Sequence, residues 1–548
     1  MRRSLLRFLW PLACLATIAG PAPAQDDVDD EAKRRVTEPG RGPQIPFDES
    51  RWEFWWFFNQ ERYVGLRPSI QKLAGQNPDV DEPFRPVTEE DRETSLLPRL
   101  VQALRDSDPS VRIAALHALA KTRDPDARPY LFNGLRDKEF LVRIQAILAL
   151  GVWGNTVSLP RLEEILKDDG RELQERMVAA VSIGLIGGPL AAESFKAFLA
   201  PRSFLEYPVM VRAGLAYGVG LTRDPENAPL VRALLSDRST RDYVVHAYLL
   251  LSLGKCGGPD DAKTLLRALG HDETQLRRSA AIALGVLRAG EGDDKAVAAL
   301  ANAARNDADL MVKNFAYLAI GQIGGEQAGR ELVTDLAQTT RANKPFIALA
   351  LGILADPEHV PLLLKELAAV SDTSYRAALA VSLGLHRDNR AAPALREAFA
   401  AAGEPVLRGY VALALGLVGD VDSIERMERS LAEANDVELV PSLASGLALL
   451  GARTTAGRIT ALLKKERNEF VKQSLLYALG RIGDRSAIEP LGRFLAEKGG
   501  DVAYVREYAA VGLGLLSDPH PVRAVSRLSQ DSNYTIQSNF LNPLFTVP

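Results

Sequence analysis

Leu148-Ala149-Leu150-Gly151-Val152-Trp153-Gly154 is the stretch on which the reading turns. It returns in near-identical form as LALGLVG at 413–419, YALGRIG at 477–483 and LAIGQIG at 318–324. Anchored on its first glycine, the pattern occurs thirteen times, at Ala120, Gly151, Gly184, Gly220, Gly254, Gly285, Gly321, Gly352, Gly384, Gly416, Ala448, Gly480 and Gly514, with a mean spacing of about 33 residues. The residue before each anchor is aliphatic, from Leu119 and Leu150 to Leu513. The one before that is small: Ala118, Ala149, Ser182, Gly218, Ser252 and so on to Gly512. Five residues before the anchor the chain is again apolar. Spacings of one, four and five share one stripe of a helix, and the small residues let neighbouring helices approach closely. The glycine is expected to end the helix in a left-handed cap.

A second helix is expected after each anchor. Pro129, Pro160, Pro229, Pro361 and Pro393 all fall nine residues on, suited to a first helical turn that leaves its N–H groups unpaired. Alternating helices with short loops, repeated at a fixed period, predict an all-α chain. Its architecture is a right-handed α-solenoid of about thirteen helix-turn-helix repeats over 97–519. Thirteen layers at about 10 Å each give a contour near 130 Å, whose inner helices would line a long concave surface.

A charged ladder accompanies the repeats. Eight residues before the anchor stand Arg112, Arg143, Arg176, Arg212, Arg277, Lys313, Lys344, Arg376, Arg408, Lys472 and Arg506, with His246 and Val440 as exceptions. Four residues earlier an acid recurs, as at Asp108, Asp242, Glu273, Asp309 and Asp372. Acid-to-base at i,i+4 is a favourable orientation, and the regularity points to a structural job at helix starts and in the loops of the next repeat.

Asp108-Pro-Ser-Val-Arg-Ile-Ala-Ala-Leu-His-Ala-Leu119 resembles the second helix of a HEAT repeat. The short period is similar to the HEAT-like repeats of phycobilisome-lyase-type proteins, here on a bacterial-type exported chain. The resemblance implies a protein-binding superhelix and carries over no catalytic residue.

The ends differ. Met1–Ala24 has Arg2, Arg3 and Arg7 before an apolar run and closes on Ala22-Pro23-Ala24, a signal peptide expected to be cut after Ala24. Cleavage takes the formal charge from -4 to -7 and leaves Cys256 as the remaining cysteine. Residues 25–50 read as a disordered acidic linker. Residues 51–96 open on Arg51-Trp52-Glu53-Phe54-Trp55-Trp56-Phe57-Phe58, an aromatic helix expected to cap the first repeat; Trp52, Trp55 and Trp56 are the candidate protein-binding residues should they stay exposed. Residues 520–548 read as a C-terminal cap or tail, with Ile536, Phe540, Leu541, Leu544 and Phe545 suited to one face.

The expected function follows from what is present. No nucleophile motif, phosphate loop or paired histidines at metal spacing occur, so no catalytic, cofactor or metal residue is assigned. Acids match the basic ladder, which argues against nucleic acid, and no later apolar run is long enough for a membrane span. The expectation is a non-catalytic exported scaffold, periplasmic or extracellular, that binds a protein or extended peptide on its concave face. The alternatives are a lyase or chromophore-attachment factor using Cys256, and a structural component in peripheral contact with the envelope.

Overall fold

The computed structural model describes residues 48–70, 528–536 and 85–518, apart from 238–239, 241, 340–341, 435, 438, 452–453 and 498–502. The signal peptide with its cleavage site, nearly all of the 25–50 linker, and Phe540, Leu541, Leu544 and Phe545 lie outside the described residues. Within them the chain is helical and shows no strand. Short outer helices alternate with inner helices that run from Pro109–Thr122 and Phe140–Trp153 to Glu469–Ile482 and Ala503–Ser517. The prolines nine residues past the anchors sit in the first turn of outer helices such as Arg128–Gly134 and Leu159–Lys167.

The anchor glycines lie inside the inner helices and do not end them. The left-handed residue comes three positions later, at Gly154, Gly419 and Gly483, and at Arg123, Arg223, Ala355 and Arg387 despite their side chains. The anchor's task is contact. A Cβ on Gly151 would stand 2.7 Å from the Cα of Ser182, on Gly254 2.7 Å from that of Ala283, and on Gly480 2.7 Å from that of Gly512. Each anchor glycine therefore presses its backbone onto the small residue two places before the next anchor.

The ladder also works differently from the expected i,i+4 pairs. Its aspartates cap their own helices: the carboxylates of Asp108, Asp242, Asp309 and Asp372 accept from backbone N–H groups two or three residues on, while Glu139, Glu172 and Glu404 at the same position make no such bond. Its bases turn back to the end of the preceding outer helix. Arg112 donates to the Asp106 and Ser107 carbonyls, Arg143 to those of Asp137 and Lys138, and Arg277 to those of His271 and Asp272. Arg176 and Arg408 donate to the Leu166 and Ala402 carbonyls. Arg112 and Arg277 reach the next repeat as well, as two-pronged pairs with Asp137 and Asp307. Arg212 and Arg376 each leave a buried Nε without a hydrogen-bond partner.

The solenoid's two ends meet. The last inner helix, Ala503–Ser517, packs on the first, Pro109–Thr122, and the thirteen inner helices form a closed ring. The junction obeys the rule of the other glycine steps. A Cβ on Gly514 would lie 2.7 Å from the Cα of Ala118. Arg506 pairs with Asp106, which stands six residues before Arg112 just as Asp137 stands six before Arg143. Outside this seam, Arg485 pairs with Asp91 at 2.6 Å and Arg99 with Glu489 at 2.6 Å. The expected end caps are thereby replaced: each terminal repeat is covered by the other.

One group at the seam titrates near neutrality. Burial next to the Asp108 carboxylate raises the Glu507 carboxyl from 4.5 to about 7, against a hydrogen bond from Ser110 that lowers it. The folded ring therefore binds the proton more tightly than the unfolded chain. Its contribution is complete below pH 4.5 and is lost as pH rises through about 7. Glu507→Gln should raise the melting temperature at pH 8 and leave it nearly unchanged at pH 4.5; equal effects at both would contradict this placement. Gly514→Leu should cost about 1–3 kcal/mol by overpacking and widen the molecule in small-angle scattering. Gly457→Leu, with open space around it, should do neither.

Candidate binding site in the ring centre

A ring of thirteen helices spaced about 8–10 Å apart is about 35–40 Å across between axes, which leaves a hole of about 25–30 Å. One helix, about 10–12 Å wide, cannot fill it. Two segments from opposite ends of the chain enter it and are largely buried there: the aromatic helix Trp52–Val64 and residues 528–536.

The aromatic helix lies inside the ring, opposite the repeat it was expected to cap. Trp52 is 1% exposed; its ring sits 5.0 Å from that of Tyr410, and its Nε1 donates to the Ser374 carbonyl and hydroxyl oxygens at 3.1 and 3.0 Å. The Ser374 hydroxyl in turn donates to Glu53 at 2.7 Å, and Glu53 pairs with Arg51. Trp56 stacks on Tyr63 with 6.3 Å between rings, and Trp55 lies 6.1 Å from the same ring. Trp52, Trp55 and Trp56 are buried against their own chain and are no free anchors for a partner. Phe57, 42% exposed, is the exception on this helix. The helix stops at Gly65 in a left-handed turn, after which Arg67 donates to the Gly480, Leu515 and Asp518 carbonyls. Those oxygens close the last two inner helices, where a cation meets the negative end of the helix dipole. A near-buried pair, Glu61–Arg481 at 2.8 Å, fixes the same side.

Residues 528–536 fold into turns along the opposite wall. Tyr217 donates its hydroxyl to the Leu528 carbonyl, and Lys255 donates to that of Gln530 at 3.3 Å. Asp531, in the left-handed region at φ 52°, is read by three groups. Gln322 donates to it at 3.2 Å, Arg62 pairs with it at 3.3 Å, and its own N–H donates to Asn59 Oδ1 at 3.0 Å. Tyr534 is enclosed by Phe54, Phe58 and Phe315, with ring centres 4.8, 5.7 and 5.5 Å away. Burial pushes its hydroxyl well above the usual tyrosine range.

The wall residues sit at regular places on the inner helices. Ten residues before the anchor are Gln275 and Ser374; six before are Ser279, Phe315 and Tyr410; three before is Tyr217; one after are Lys255, Gln322 and Arg481. Steps of three and four mark one helical stripe facing the ring centre. The stripe was readable as a place where Tyr, Gln, Lys and Arg interrupt an otherwise aliphatic pattern. Which residues face each other across the ring was not.

The remaining candidates are accounted for inside the fold. Cys256 is buried, and burial followed by the nearby Asp261 charge pushes its thiol up to about 12. His117 is held neutral by burial, down to about 4, with its Nε2 2.5 Å from Gln145. His246, in the ladder, contacts the Thr240 hydroxyl at 3.1 Å. No group of three or more potential metal ligands occurs among the described residues, and none of the described helices is long and apolar enough to cross a membrane.

A HEAT-repeat family model matches residues 97–183 and 206–285, and the PBS lyase HEAT-like repeat matches 471–497. The chain is a HEAT-repeat protein, and its fold is a helical-repeat solenoid. No curated protein matches it. Among solved structures it is similar to human deoxyhypusine hydroxylase in complex with glycerol, with 21% identity over 48% of this chain and 96% of that one and a TM-score of 0.23. It is also similar to the CpcE–CpcF complex of phycocyanin lyase from Nostoc, with 21% identity over 44% and 93% and a TM-score of 0.31. For Kap121p bound to Pho4p the identity is 14% over 77% and 56%, with a TM-score of 0.35.

The buried Cys256 thiol should resist a thiol-specific reagent at pH 8 in the native protein and react stoichiometrically after denaturation. Rapid labelling of the native chain would contradict its assignment as a packing residue.

Proposed function

We propose that the protein is a non-catalytic exported scaffold that binds a protein or an extended peptide on the concave face of its solenoid. One observation carries the reading: the concave wall already holds a stretch of polypeptide through amide, hydroxyl and aromatic contacts. Export rests on the Arg2–Ala24 segment. The lyase alternative draws on the match at 471–497, but its best nucleophile is a thiol held protonated in the core. Burial of Trp52, Trp55 and Trp56 works against an envelope role for the aromatic helix.

A photo-crosslinker placed at Phe57 in the full chain, activated in the native exported fraction, tests the scaffold. The expected result is one protein recovered in near-stoichiometric amount. Recovery of none, together with a turnover activity of the purified chain, overturns the reading.

A further inference from the structure

Residues 530–535, Gln-Asp-Ser-Asn-Tyr-Thr, are all buried in the ring centre, and most of them are polar. A segment selected only to fill space would be apolar, because each buried polar group costs free energy unless it is matched. Here the matches are specific. Asn533 donates to the Ser279 hydroxyl at 2.9 Å and to Gln275 Oε1 at 3.2 Å. Its own Oδ1 accepts from the Thr535 N–H at 3.2 Å and hydroxyl at 2.6 Å. Gln275 Nε2 returns a bond to the Thr535 carbonyl at 3.0 Å, and Arg278, itself paired with Asp309, donates to the Thr535 hydroxyl at 2.8 Å. Asp531 and Tyr534 are enclosed as described above. The wall, together with Asn59, Arg62, Phe54 and Phe58 of the aromatic helix, thus reads an acid, an amide, an aromatic ring and a hydroxyl at fixed spacing.

Resting on the scaffold reading, we propose that this wall is a sequence-specific peptide site. Its ligand is a segment of the form Asp-x-Asn-aromatic-Thr, and the chain's own residues 531–535 occupy it until a partner supplies the same motif. Two physical arguments support exchange. Buried polar networks give discrimination more readily than stability, and a site vacated by its motif leaves the Gln275 amide and the Ser279 hydroxyl without their partners there, while Arg278 keeps Asp309, so it rejects unlike sequences. The occupying segment also belongs to no helix pair of the repeats, and in the sequence nine residues separate residues 528–536 from Asp518 at the end of the last inner helix. Tethering over so short a span gives an effective concentration on the order of millimolar, enough to hold off a partner peptide of micromolar affinity about 100-fold or more.

The test uses the full chain and a labelled synthetic peptide of residues 528–536, followed by fluorescence anisotropy. The variant N533A/Y534A/T535A, with helicity and melting checked by circular dichroism, should bind the peptide at least tenfold tighter than the unaltered chain. A peptide carrying N533A should lose that gain. If the triple variant does not fold, a full chain with a protease site inserted at 519–527 and then cut serves instead; it should exchange its own segment for the labelled peptide. Equal or absent binding by a folded variant, or no exchange in the cut chain at millimolar peptide, overturns the proposal. A partner captured through Phe57 while the peptide binds nothing would sink this site and leave the scaffold reading standing; the reverse pattern would separate them the other way.

Discussion

The structure depends on the near-contact of backbones between neighbouring inner helices. An anchor glycine without a side chain faces a glycine, alanine or serine of the next repeat, so two helices meet almost atom against atom. Close packing of this kind resists any added methyl group, because interiors are already dense. It repeats at the seam, where Gly514 meets Ala118. A solenoid whose last edge complements its first has no apolar end to hide, provided that its turn per repeat brings the two edges together.

Closure has a consequence for the middle. An open superhelix offers its concave face to solvent and partners. A ring encloses that face, and the hole must be filled or lined with groups that tolerate water. In this chain segments from both ends are buried in it: Trp52, Trp56 and Phe58 come from one and Tyr534 and Ile536 from the other. The polar members of the two segments bridge to each other, as in Arg62–Asp531, and to the wall, as in Glu61–Arg481. The ends of the chain therefore stabilise the ring from within while blocking the surface that the fold would otherwise present.

Much of this is legible in the sequence. The repeat count, the helix pairs, the prolines in the first turns and the small-residue stripe all follow from local spacing, which a helix converts directly into a face. Two readings had the right residues in the wrong roles. Gly151 and its equivalents were expected as caps, since a glycine near the end of a periodic run serves either purpose; the left-handed turn falls three residues later, even on Arg123 and Arg387. Arg112 and Asp108 were expected to pair with each other at i,i+4. Asp108 instead satisfies the Ser110 N–H, and Arg112 satisfies carbonyls behind it and an acid ahead of it, because those backbone groups have no other partner.

By itself, then, the sequence determined the unit: a helix pair with one face built for close approach to an identical neighbour. Nearest-neighbour chemistry is local, so it is written in every repeat. Tertiary structure alone decided that thirteen units close, and that Trp52 meets Ser374 and Asn533 meets Ser279. Closure depends on the sum of small rotations between repeats, and no single step encodes that sum. The contacts across the ring join residues hundreds of positions apart, where no period connects them.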